Sequence, residues 1–223
     1  MSLRIELAGH ALDLRGDRSV WWPEQRTAFV ADVHLGKDQV FRRSGVPIPA
    51  DVLHAELAAL DAVLAGTGAE RLVVLGDWVH AAPAGDDAWP HVVARWRERH
   101  AALELILVAG NHDRGLRPWL ERWRMTEWGE GIEIDGLALM HEVDPADPPA
   151  GFSGHMHPVV RFGSRGDRVR LSAFARRDDH LILPAFGRFT GGGEGLERAG
   201  WSFYGIAGER VVDLSGARRR PRR

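Results

Sequence analysis

The chain has 223 residues and a mass of 24.7 kDa, the size of one large α/β domain. Apolar residues make up 44% and charged residues 27%, a balance that builds a core and excludes disorder of the whole chain. Cysteine is absent, which excludes disulfides, zinc–thiolate sites, iron–sulfur clusters and cysteine nucleophiles, while 29 basic against 31 acidic residues give no global pull towards nucleic acid.

The first 30 residues contain Asp13, Asp17 and Glu24 and no continuous apolar stretch, so a cytoplasmic protein without a secretory signal is expected. No apolar run is long enough to span a membrane. Residues 3–7 and 11–15, around Gly9, read as a hairpin. Residues 27–31 (TAFVA) read as a buried strand that stops at Asp32. Val52, Leu53, Leu57, Leu60 and Leu64 recur at helical spacing and predict an amphipathic helix over 49–65. Residues 72–75 (LVVL) and 103–108 are two further buried strands, ending at Gly76-Asp77 and Gly110-Asn111. A helix is expected over 89–100, with Val92, Val93 and Trp96 inward, and a short one over 117–123.

After Gly131 the texture changes. Residues 132–134 and 137–140 flank Asp135-Gly136, a type I′ hairpin signal. Further strands are expected at 159–162, 169–171, 181–183 and 201–204. The first half therefore reads as β–α units on a mostly parallel sheet, and the second as mainly antiparallel β. No repeat or linker divides the chain. One domain is expected over 1–217, followed by a disordered basic tail, 218–223, with five arginines around Pro221.

Polar residues recur where the apolar strands end: Asp32-x-His34, Gly76-Asp77, Gly110-Asn111-His112-Asp113, His141 and Gly154-His155-x-His157. In open α/β sheets, sites form at the carboxyl ends of strands. Asp32, His34, Asp77, Asn111, His141, His155 and His157 together supply seven oxygen or nitrogen ligands. Residues two apart in an extended chain share a face, and a carboxylate such as Asp77 can bridge two cations. Two such ions are the apparatus of phosphoryl displacement. With no thiolate, the mixed nitrogen and oxygen set suits Mn²⁺, Fe²⁺ or Zn²⁺.

These motifs, over about residues 27–160, resemble the series of the calcineurin-like metallophosphoesterases. The resemblance implies a four-layer α/β/β/α sandwich of two mixed sheets flanked by helices. It implies that Asp32, His34 and His157 hold one metal, that Asn111, His141 and His155 hold the other, and that Asp77 bridges. His112 would be the acid, or a cationic stabiliser, near the leaving oxygen, oriented by Asp113. A narrower resemblance, over about 18–214, rests on WWPEQRTAFVADVHLGKDQVFRRSGVPIP, GDWVHA and LPAFGRFTGG. These segments look like the PdeM-type ligase-associated DNA-damage-response phosphoesterases. That family implies a Mn²⁺-dependent phosphodiesterase, with DNA or RNA as candidate substrate and association with a DNA ligase and helicase. The alternatives are a phosphomonoesterase, a nucleotide pyrophosphatase, or a non-catalytic scaffold in a repair complex.

Beyond the motifs, Lys37 (the chain's one lysine), His80 and Arg114 are candidate substrate contacts, with Arg42 and Arg43 beside Lys37. Trp21, Trp22, Trp78 and Trp89 could offer stacking faces to bases, whereas Trp96 and Trp119 sit in helical patterns and belong to the core. Gly191–193 reads as a turn near the site. His10, His54, His91, His100 and His180 fit no motif.

Overall fold

The computed structural model describes residues 2–49, 51–129, 131–164, 167–193, 196 and 200–215. The basic tail, 218–223, lies outside the described residues.

Strands β1 (Leu3–Leu7), β2 (His10–Leu14), β3 (Val20–Trp22) and β4 (Thr27–Val30) form an antiparallel meander. From β4 the sheet turns parallel, adding β5 (Arg71–Leu75), β6 (Glu104–Val108) and β7 (Met125–Glu127) in the order β1-β2-β3-β4-β5-β6-β7. The connections carry helices α1 (Lys37–Arg43), α2 (Val52–Thr67), α3 (Trp89–Arg99) and α4 (Arg117–Leu120). Parallel strands covered on both faces read as unbroken apolar runs, as TAFV and ELILV do. Along β5 the pleat alternates: Leu72 and Val74 meet the helices, while Val73 and Leu75 face the second sheet.

The second sheet has the order β15-β14-β12-β13-β10-β9-β8, with β11 paired to β12. Its strands are β8 (Gly131–Ile134), β9 (Leu137–Met140), β10 (Gly151–Ser153), β11 (Val159–Ser164), β12 (Asp167–Arg177), β13 (His180–Ile182), β14 (Ser202–Ala207) and β15 (Arg210–Asp213). The β8–β9 turn is the expected one, with positive φ at both Asp135 (48°) and Gly136 (79°). The mainly antiparallel reading holds for β8–β9, β11–β12, β12–β13, β12–β14 and β14–β15, with one exception. The short β10 lies parallel to both β9 and β13, because the chain returns to the same edge through loops rather than a hairpin.

The two sheets close face to face on Phe29, Leu75, Ile106, Phe152 and Leu181. Phe29 and Phe152 meet at a centroid separation of 4.9 Å. A second apolar layer joins α2, α3 and α4 to the first sheet through Leu57, Leu60, Trp96, Leu120 and Trp123. A third, around Val160, Trp201 and Phe203, covers the outer face of the second sheet. The tryptophan reading changes accordingly. Trp22 and Trp78 are fully buried and Trp89 nearly so, so they offer no stacking face to a base. Trp21 is half-buried against the helical layer. Their apolar bodies are worth more inside than at the surface. Among the described residues no helix is long and apolar enough to cross a membrane.

Candidate metal centre

The parallel β4, β5 and β6 deliver Asp32, Asp77 and Asn111 to one edge of the first sheet. Strands β9 and β10 deliver His141 and His155 from the second. Backbone hydrogen bonds stitch these ends together. Asp32 N–H donates to the Gly76 carbonyl at 3.1 Å and His34 N–H to the Asp77 carbonyl at 2.9 Å. Gly154 N–H donates to the His141 carbonyl at 3.0 Å, and Gly187 N–H to the Asp32 carbonyl at 3.1 Å. The last bond ties the LPAFG segment to the first ligand.

Five of these polar residues hold left-handed backbone: Asp32 (φ 55°), His34 (54°), Asp77 (53°), His155 (63°) and His157 (44°). That conformation is uncommon outside glycine and costs about 1–3 kcal/mol per residue, which persists where function uses it. It turns each side chain off its strand towards a shared centre. Gly76 and Gly110 make room. A Cβ on Gly76 would strike the His141 ring, and one on Gly110 would strike the Asp77 carboxylate.

Among the described residues the possible ligand atoms fall in three overlapping groups: one is His34, His80 and His112, and the other two share Asp32. Asp32, His34 and His157 offer atoms within 4.8 Å of one another, and so do Asp32, Asp77 and His141. His34 Nε2 lies 3.8 Å from Asp77 Oδ2, and His141 Nε2 lies 3.5 Å from Asp77 Oδ1. Asp77 therefore stands between the groups. The settings of two histidines fit a cation. His141 Nδ1–H points to the Leu75 carbonyl at 3.1 Å. Its Nε2 then faces Asn111 Oδ1 at 3.0 Å and His155 Nδ1 at 3.2 Å. In the same way His157 Nδ1–H points to the Gly191 carbonyl at 3.1 Å, and its Nε2 faces Asp32 Oδ1 at 3.2 Å. Lone pairs facing lone pairs repel, and a shared cation relieves them.

Electrostatics agree with this picture. Burial, helped by the nearby Lys37, pushes His34 down to about 2, so its ring is neutral and ligand-competent. Burial works to lower His157, but the Asp32 carboxylate outweighs it and raises it overall, so a positive charge, proton or cation, is favoured between the two. Burial pushes Asp113 up to about 6 despite the backbone amides it accepts.

Those amides give Asp113 its place. Its carboxylate accepts N–H bonds from Asp77 (2.8 Å), Gly110 (2.9 Å) and Val79 (3.3 Å). It staples the loops after β5 and β6 to each other. The His112 ring is held instead by the His80 carbonyl, 2.7 Å from Nδ1. The expected contact from Asp113 to the His112 ring is therefore not among the described contacts; His112 N–H instead donates to Asp77 Oδ1 at 2.9 Å. His112 Nε2 is left facing the cleft, 4.0 Å from Asp77 Oδ2.

A cleft of about 390 Å³ opens over these atoms, lined by His34, Asp77, Asn111, His112, His155 and His157. Lys37 and His80 also line it. The His80 ring stacks on His112 at 5.1 Å, and burial lowers its pKa. Arg114 is exposed and is not part of the cleft wall. Arg42 and Arg43 pair with Asp38 and Asp87. The segment 191–193 is one wall of the cleft, but the turn itself lies just before it, at 188–189, and Gly193 bridges to Pro158. Thr190, on the same wall, went unremarked in the sequence. Its only signal there is its place inside the LPAFGRFTGG segment. His10, His100 and His180 have local partners: the Asp135 carbonyl, Asp61 and the Ser153–Pro149 pair.

Two sheets whose strand ends converge paired carboxylates and histidines on one cleft define a metal-dependent phosphoesterase. The family model of the calcineurin-like phosphoesterases matches residues 25–185, and the chain belongs to that family. Its members bind a dinuclear divalent metal centre, for which the groups around Asp32 and Asp77 are the candidate ligands here. Among solved structures, the nuclease MPE of Pseudomonas putida is similar over 96% of this chain and 100% of its own, with 36% identity and a TM-score of 0.81. The phosphoesterase Yfce of E. coli aligns over 83% of this chain and 96% of its own, at 17% identity and a TM-score of 0.43, a likeness too slight to bear on the argument. No curated protein matches.

Proposed function

We propose that this phosphoesterase is a Mn²⁺-dependent phosphodiesterase whose substrates are nucleic-acid diesters. The observation that carries the reading is Asp77, whose carboxylate lies 3.8 Å from His34 Nε2 and 3.5 Å from His141 Nε2, with His112 Nε2 4.0 Å away. That is where a phosphoryl group and its leaving oxygen belong. The cleft's open side supports a diester, because His157, Thr190, Gly191 and Gly192 also line the next cavity. A second ester substituent has somewhere to go. The likeness to a nuclease supports the same substrate class.

Asp32, His34 and His157 would hold one ion, Asn111, His141 and His155 the other, and Asp77 both. When bound, the ions supply Lewis acidity to the phosphoryl oxygens and to the attacking water. His112 delivers a proton from Nε2 to the leaving alkoxide, its ring set by the His80 carbonyl. Lys37 offers positive charge to a non-bridging oxygen. A cytoplasmic repair role beside a DNA ligase and helicase, as the PdeM-type resemblance implies, belongs to this proposal, as does a single domain over 1–217.

The test is hydrolysis of bis-p-nitrophenyl phosphate beside p-nitrophenyl phosphate. Chelator-stripped protein receives Mn²⁺, Zn²⁺, Mg²⁺ or nothing. Diesterase restored best by Mn²⁺, with little monoesterase, supports the proposal. Dominant monoesterase activity overturns the diester assignment.

A further inference from the structure

The cleft does not end at the ligands. Beyond its Thr190–Gly192 wall lies a neck of about 130 Å³, lined by Arg18, Arg170 and Arg188. The same three arginines also line a larger cavity of about 930 Å³ further on. Among the described residues, Arg15, Asp17 and Glu209 are the other charged groups on that cavity's wall, and Asp17 is held by Arg15 at 2.7 Å. Positive charge therefore runs continuously from the side of His157 into the larger cavity.

The arginines are built in. Arg18 Nη1 donates to the carbonyls of Ala185 (3.2 Å), Phe186 (3.1 Å) and Gly187 (3.4 Å). Arg170 Nη2 donates to the Gly192 carbonyl at 2.8 Å. A guanidinium carries five N–H donors, so most of each fork remains for an anion. Arg188 is exposed, and its charge opposes that of Arg18. An anion between them relieves that repulsion. Glu56 lies within electrostatic reach of Arg188, but burial pushes it up to about 8, so at neutral pH it is mostly uncharged and gives little neutralisation. Between Arg188 and Thr190, Phe189 is 44% exposed, an aromatic face beside the cations. The buried Thr190 hydroxyl has no partner among the described residues.

We propose that Arg18, Arg170 and Arg188 form a channel that holds the phosphodiester backbone of a single-stranded nucleic acid leading away from the metal centre. A row of guanidinium groups suits a row of phosphates. The three arginines come from separate segments around a concave cavity of about 930 Å³, which a flexible single strand can follow and a stiff duplex cannot without bending. The assignment rests on the phosphodiesterase reading and adds to it a strand path with a direction.

Binding tests it directly. Fluorescence anisotropy of a labelled 20-mer is measured with the full-length chain in EDTA, which prevents cleavage. The variants are Arg188→Glu, on the exposed arginine, and Arg170→Gln, with melting temperatures to confirm folding. Arg188→Glu is expected to weaken single-strand binding about tenfold. Each lost contact is expected to flatten the slope of log K against log[salt] by about 0.7. Deoxyribose and ribose strands are expected to lose alike, because the channel reads phosphate. Affinity within twofold of wild type overturns the channel, as does a duplex that binds as well as the single strand. A loss confined to one sugar type overturns recognition by the backbone. Wild-type hydrolysis of bis-p-nitrophenyl phosphate separates the two claims. If it is hydrolysed while Arg188→Glu binds strands normally, the channel fails and the phosphodiesterase stands. If it is not hydrolysed while Arg188→Glu abolishes strand binding, the reverse holds.

Discussion

Replacing Asp113 by alanine removes the carboxylate that accepts amides from Asp77, Gly110 and Val79 at 2.8, 2.9 and 3.3 Å. The residue is only 6% exposed, so water does not readily replace it. Each buried N–H left unpaired costs about 1–3 kcal/mol. Part of that is recovered because a buried charge, whose pKa burial has pushed up to about 6, is also removed. A net loss of about 3 kcal/mol remains. For a chain of this size that is roughly 6–12 °C in Tm. The loops it joins carry Asp77 and Asn111, so metal affinity should fall about 10- to 100-fold as well. Asp113→Asn keeps one acceptor and should fall between wild type and alanine. Thermal unfolding by circular dichroism, with and without Mn²⁺, reads both effects. A Tm within about 2 °C of wild type, together with unchanged Mn²⁺ affinity, refutes the stapling role.

Other outcomes follow from the same geometry. His112→Ala should lose turnover by about 10²-fold or more with Mn²⁺ binding nearly intact. Restoration of the rate on a diester whose leaving group needs no proton distinguishes an acid from a structural role. Lys37→Ala should raise KM for a diester more than it lowers kcat, read from initial rates across substrate concentration. Glu56, 4% exposed on α2, has its pKa raised from 4.5 to about 8 by burial and by Asp38. A raised carboxylate contributes stability that is complete below pH 4.5 and is lost as the pH climbs through 8. Wild-type Tm should therefore fall between pH 5 and 8.5, while Glu56→Gln stays flatter, the gap reaching several degrees. Parallel curves would refute the buried neutral carboxyl.

Every candidate ligand was visible as a polar residue ending an apolar run. A strand end is a local pattern, and its chemistry can be read without the fold. Distant partners are different. The His80 carbonyl that holds His112 is 32 residues away, and the Gly191 carbonyl that holds His157 is 34 away. No local rule connects them. Strands β3 (VWW) and β10 (GFS) span three residues each, too few to show a period, so the parallel placement of β10 went unseen. The helix α1 has only Val40 and Phe41 as large apolar residues, which leaves no amphipathic stripe to read. Trp22, Trp78 and Trp89 were misjudged because burial depends on what packs above them, not on their identity. Arg114 follows Asp113 directly yet is exposed and does not line the cleft, since adjacency in sequence does not fix which residues of a loop line a site.

The central claim is that one chain holds two ions around Asp77. Its most direct test counts Mn²⁺ per chain by equilibrium dialysis and elemental analysis, for chelator-stripped wild type and for Asp77→Ala. The account predicts two ions per wild-type chain and a loss of at least one in the variant, with diesterase activity rising only as the second ion enters. One ion or none per folded wild-type chain, or two retained by Asp77→Ala, would contradict it.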